Sequence, residues 1–215
     1  MPEKRTVFLF ERGINGWQSI FGTWKNWPNE AIVFIHLNTE FRAQTLEYFT
    51  GAILAGLTRR GRAKQFAKMI RAYSCEDWTI NIVAHSEGTA TVIEAMKLAG
   101  WPKINNVHLL CGACDSNFER CGLNHALYNH NINQVFAYIA GKDWAMKLEN
   151  TLLGKELFDI PESDKSLGLV GPQNVRTSVE SRVHKISGSP WNDYGHSDCF
   201  LEKNFASTLR CFLPA

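Results

Sequence analysis

Three residues with complementary chemistry stand far apart in this chain: Ser86, Asp143 and His196. A serine hydroxyl is a poor nucleophile until a base takes its proton, and imidazole is poised to do that near neutral pH. The imidazole needs a carboxylate on its other nitrogen, which fixes its tautomer and stabilises the imidazolium that forms. The chain offers one candidate for each role, in the order Ser, Asp, His. Ser86 lies in Ala84-His85-Ser86-Glu87-Gly88, the G-x-S-x-G nucleophile-elbow pattern with Ala in place of its first Gly. Small residues belong there because a strand turning abruptly into a helix crowds the positions two before and two after the serine. The helix N-terminus behind the serine brings unused backbone N–H groups and the positive end of a dipole, which suit an oxyanion. Plainer roles exist for each group. A serine in a βα turn can be only a helix cap, and Asp143 could cap a helix starting at Trp144, with Asp115 as the next candidate for the acid.

Elements that could position these groups follow from the hydrophobic pattern. Strands are read at Thr6–Phe10, a continuous apolar run, at Ala31–Leu37, Ile80–Val83, Ile104–Leu110 and Gln134–Ala140, and, with rough alternation, at Val179–Ser187. Between them, Trp17, Ile20, Phe21, Trp24 and Trp27 recur at helical spacing before Pro28. Residues 43–73 read as helical, Thr89–Ala99 as a helix stopped by Gly100 and Pro102, Trp144–Leu153 as a short helix, and Asp198–Phe212 as a closing helix. Residues 115–133, polar and rich in Asn, read as a surface excursion. Strands alternating with helices predict an α/β fold: a single domain over 1–215, with a mainly parallel sheet of about six strands and helices on both faces. Ligands of such sheets bind beyond the carboxyl ends of the strands. Ser86, Asp143 and His196 fall just past the third, fifth and sixth predicted strands.

Composition narrows the partners. The chain has 215 residues, 45% hydrophobic and 20% charged, and a net charge of +2, which gives no argument for nucleic acid. No run reaches the length of a membrane span, and no secretory signal precedes the first strand, so a cytoplasmic location is expected. Arg59, Arg60, Arg62, Lys64, Lys68 and Arg71 form the most basic region, read as a solvated helix face, with attraction to anionic substrate or lipid headgroups as the alternative. Six cysteines in a chain this long do not make a disulfide framework. Cys111, Cys114 and Cys121 have His108 and His125 nearby, so zinc is conceivable, but packing of small buried thiols is the expectation, and no metal or other cofactor is assigned.

Taken with the elbow, the Ser, Asp, His order resembles the α/β-hydrolase superfamily, over nearly the whole chain. That resemblance implies Ser86 as nucleophile, Asp143 as acid and His196 as base. It implies the Glu87 N–H as one oxyanion donor and, because Arg12-Gly13-Ile14 matches the family's His-Gly-x turn, the Ile14 N–H as the second. Arg12 and Ala84 depart from the usual residues at their positions. The implied activity is hydrolysis of a small-molecule carboxylic ester through an acyl-enzyme. The same groups would serve an acyltransferase, thioesterase or amidase, and a non-catalytic binding protein on the same scaffold is the remaining alternative. Trp17, Trp191 and Tyr194 are candidates for the substrate wall, and 144–175 for a small lid. The oligomeric state is not legible in the sequence.

Overall fold

A strand with a continuous apolar stretch needs cover on both of its faces, and Val7–Phe10 of the first strand, β1 (Thr6–Glu11), show the consequence. In the computed structural model, Val7 and Leu9 point into one buried cluster while Phe8 and Phe10 point into another. The structure describes residues 5–11, 41–46, 52–149, 165–196, 198–200, 204, 207, 208, 211 and 212. Five further strands join β1: β2 (Phe41–Leu46), β3 (Thr79–His85), β4 (Ile104–Leu110), β5 (Ile132–Tyr138) and β6 (Val183–Ile186). They form one sheet in the order β2-β1-β3-β4-β5-β6. Every pairing is parallel, so all of the carboxyl ends lie along one rim.

One face carries α1 (Ala52–Cys75) and α2 (Gly88–Leu98). Ala63, Phe66, Ala67 and Ile70 of α1 and Val92, Ile93 and Met96 of α2 pack there on Ile80, Ile82 and Val107. A short helix, α3 (Leu123–Tyr128), completes that cover with Leu123, Ala126 and Leu127. Among the described residues, the opposite face is covered from the C-terminal part of the chain by Trp191, Tyr194, Cys199 and Phe212.

Several sequence expectations change. The strand read at Ala31–Leu37 lies outside the described residues, as do the helical stripe at 17–27 and the turn Arg12-Gly13-Ile14. Residues 41–46, read as loop and helix start, form β2 instead: Phe41-Arg-Ala-Gln-Thr-Leu46 has no continuous apolar run, and its extended form is fixed by pairing with β1. Residues 115–133 are not a surface excursion. Phe118 and Leu127 are core, and the fully buried Asn124 is held by Glu119 and by the carbonyl of Asn174 at 2.9 and 2.8 Å. The predicted sixth strand starts too early, because Thr177–Arg182 is a 3-10 turn that puts Val179 into the core before β6 begins.

Candidate active site

Between β3 and α2 the chain turns through Ser86, whose φ of +53° lies in the left-handed region that side chains rarely adopt. The turn is held from all sides. Ser86 N–H donates to the Leu110 carbonyl at 3.0 Å, and the Ser86 carbonyl accepts from the N–H groups of Thr89 and Ala113, each at 3.0 Å. The Thr89 hydroxyl donates to the same carbonyl at 2.6 Å. A strained serine between a strand and a helix is the geometry the elbow pattern predicts. Glu87 caps α2, so its N–H belongs to the donors the helix itself leaves unused.

Asp143 follows β5, just before α4 (Trp144–Glu149), and is 1% exposed. His196 follows the 3-10 turn Trp191–Asp193. Their two loops are joined backbone to backbone: Gly141 N–H donates to the Trp191 carbonyl and Lys142 N–H to that of Tyr194, both at 3.0 Å. The result is a continuous chain of hydrogen bonds. His196 Nδ1 is 2.8 Å from Asp143 Oδ2, and His196 Nε2 is 2.9 Å from Ser86 Oγ. A carboxylate only accepts, so Nδ1 donates to it and Nε2 is left to accept the serine proton.

Two buried neighbours support this line. His85 Nε2 lies 2.8 Å from the His196 carbonyl and therefore donates to it, and the two rings sit 4.7 Å apart. Burial, and then the neighbouring His196, hold the His85 pKa well below its usual range, which keeps the ring neutral. Burial pushes the Cys111 thiol well above the usual range, and Cys199 and Asp143 act in the same direction. Ligand atoms of His85, Cys111 and His196 lie within 4.8 Å of one another. A cation bound there would compete for a histidine whose ring nitrogens already serve Asp143 and Ser86. The cysteine cluster noted in the sequence is divided between the two cores: Cys114 and Cys121 pack on one face of the sheet, Cys111 on the other.

Other expectations are corrected here. The sequence makes Trp191 and Tyr194 candidates for the pocket mouth, but both rings are buried, Trp191 at 4.7 Å from Tyr138 and 5.4 Å from Tyr194. Asp115 is far from this role: it accepts from Asn117 N–H at 2.9 Å and pairs with Arg120. The last part of the expected lid is packed, with Ser166 and Leu167 buried and Gly168 N–H bonded to the Gly112 carbonyl at 2.8 Å. Residues 150–164 of that segment, and Ile14 and Trp17, lie outside the described residues. Arg62, read as part of a solvated face, is 3% exposed. It shares the inward stripe of α1 with Phe66 and Ile70, a spacing of four that the sequence displays.

Comparison with solved structures decides the fold. The chain superposes on a Thermogutta terrifontis esterase, Est2 with butyrate bound, over 98% of its own length and 82% of that chain, with a TM-score of 0.52 at 13% identity. The mature Bacillus licheniformis lipase BlEst2 matches over 100% of this chain and 94% of its own, with a TM-score of 0.51 at 12% identity. The fold is that of the α/β-hydrolases. Within this α/β-hydrolase fold, an uncharacterized Bacillus cereus ATCC 10987 protein also matches, with a TM-score of 0.51 at 10% identity, and the chain spans 59% of that protein's length. No protein-family model matches the chain, and no curated protein matches it in sequence. Among the described residues, no helix is long and apolar enough to cross a membrane.

Proposed function

We propose that this α/β-hydrolase-fold chain is a serine hydrolase that cleaves small carboxylic esters. The reading is carried by the position of His196, 2.8 Å from a buried carboxylate and 2.9 Å from a serine hydroxyl on a strained elbow. The esterase and the lipase that share the fold favour ester as the substrate bond.

In this mechanism Ser86 Oγ attacks the ester carbonyl carbon while His196 Nε2 takes its proton. The carbonyl oxygen becomes an oxyanion, which the Glu87 N–H stabilises together with the N–H expected at Ile14. Collapse of the tetrahedral intermediate breaks the bond to the alkoxy oxygen, which leaves as alcohol with the proton returned by His196. Water, deprotonated by the same nitrogen, then attacks the acyl-enzyme and releases the carboxylic acid and Ser86. Asp143 accepts from His196 Nδ1 and holds the imidazolium in place.

A fluorophosphonate probe and a series of nitrophenyl esters test the reading together. Labelling and turnover that vanish in Ser86→Ala, with turnover reduced on the order of 10⁴-fold or more, are expected. Turnover near wild type in that variant, or absence of labelling in the wild type, refutes it.

A further inference from the structure

We propose that Arg62 is a positioning residue for the oxyanion hole, fixing the residue after the nucleophile relative to the end of β1. The proposal rests on the hydrolase reading above. It starts from an arginine in the wrong place: Arg60, Lys64, Lys68 and Arg71 of α1 are exposed, whereas Arg62 lies with Ala63 and Phe66 on the buried stripe. A buried guanidinium requires ionic and hydrogen-bonded partners. Arg62 Nη1 bonds Glu11 Oε1 at 2.8 Å, and Nη2 bonds Glu87 Oε2. Both carboxylates are buried, at 1% and 0% exposure. Arg59 Nε lies 3.2 Å from Glu87 Oε1, and the Thr91 hydroxyl donates to the same carboxylate at 3.3 Å.

The two carboxylates lie on the elbow and at the end of the strand beside it. Glu87 carries the N–H next to the nucleophile. Glu11 is the last residue of β1, opposite Ala84 of the elbow in the parallel register. One planar guanidinium spanning both carboxylates fixes their separation, because its donors form a rigid fork. Buried ion pairs add little net stability over apolar residues of similar volume, so the value of this one is geometric. Oxyanion donors act only when held close to the position where charge develops. A lysine at position 62 would keep the charge but lose the fork.

The test uses the full chain and a short-chain nitrophenyl ester, with Arg62→Lys, Glu11→Gln and Ser86→Ala measured side by side. The expected result for Arg62→Lys is a folded protein whose KM changes by less than about twofold and whose kcat falls on the order of 10²-fold, the size of losing one oxyanion donor. Its fluorophosphonate labelling rate falls in step, since the phosphoryl oxygen takes the oxyanion's place. Glu11→Gln falls between this variant and wild type. A folded Arg62→Lys with wild-type kcat, or a loss confined to KM or matched by the unfolded fraction, overturns the proposal. Should Arg62→Lys not fold, Glu11→Gln is judged by the same split. Turnover surviving in Ser86→Ala would instead refute the hydrolase reading itself, whereas Ser86-dependent turnover that ignores Arg62→Lys refutes only the role of Arg62.

Discussion

Gly141 and Asn192 meet backbone to backbone: a β-carbon on Gly141 would lie 2.3 Å from the Asn192 carbonyl oxygen and 3.0 Å from its Cα. No side-chain adjustment can relieve that contact. It belongs to the seam that docks the Asp143 loop on the His196 loop. Gly141→Ala must therefore push the loops apart, at a cost of about 1–3 kcal/mol by analogy with overpacked cores. We expect a lower melting temperature and a fall in kcat larger than the unfolded fraction explains. A variant that melts like wild type and turns over normally would show that the seam does not set the Asp143–His196 distance.

Asp143→Asn keeps the size of the side chain but removes the acceptor-only character that fixes the His196 tautomer. An amide that donates to Nδ1 would leave Nε2 protonated and unable to take the serine proton. Under the proposed mechanism kcat should fall on the order of 10⁴-fold with KM nearly unchanged. Steady-state kinetics on one ester checks this, and a loss below tenfold would mean that another group serves as the acid.

Ser86 occupies a left-handed conformation at φ +53°. Glycine adopts that conformation without a Cβ penalty, whereas alanine keeps the strain. Ser86→Gly and Ser86→Ala both lack the hydroxyl, so their difference isolates the backbone. Ser86→Gly should be the more stable by about 1 kcal/mol in urea denaturation, after the extra entropy of its unfolded chain is counted. Equal midpoints would show the elbow to be unstrained.

His108 is stacked on Phe136 at 4.7 Å and bonded through Nδ1 to the Tyr138 hydroxyl at 2.9 Å. Burial holds its pKa down to about 3, against an ordinary 6.5. In that window the unfolded chain binds a proton that the folded chain does not, so stability rises with pH. The contribution is fully present above pH 6.5 and is lost as pH falls toward 3, at about 1.4 kcal/mol per pH unit. Between pH 7 and pH 5 wild type should lose about 2 kcal/mol more than His108→Phe, measured by urea denaturation. His85 acts in the same direction in both proteins, so only the difference between them reports on His108. Parallel losses would contradict a neutral, buried His108.

Much of the fold was legible because burial on two faces leaves a plain local mark. Strand β1 holds a continuous apolar run, β3, β4 and β5 are rich in apolar residues, and α2 carries an apolar stripe ended by a Gly and a Pro. The elbow could be read because steric crowding at a strand-to-helix turn restricts residue type at fixed spacing. Ser86, Asp143 and His196 could be nominated from their chemistry and their places after strands. Where the pattern was missed, the deciding interactions lie far away in sequence. Phe41–Leu46 is a strand because β1 pairs with it, and residues 115–133 feed the core because Phe118, Leu123, Ala126 and Leu127 pack into it.

The sequence by itself determined which groups could do chemistry and in what order, because residue type and local period are written in it directly. Only the tertiary structure decided that His196 lies within 3 Å of both of its partners, with separations of 53 and 110 residues along the chain. It likewise turned Trp191 and Tyr194 inward and placed Arg62 between two carboxylates. Those outcomes depend on which backbones pack side by side, and local sequence does not encode distances between segments that meet only in the folded sheet.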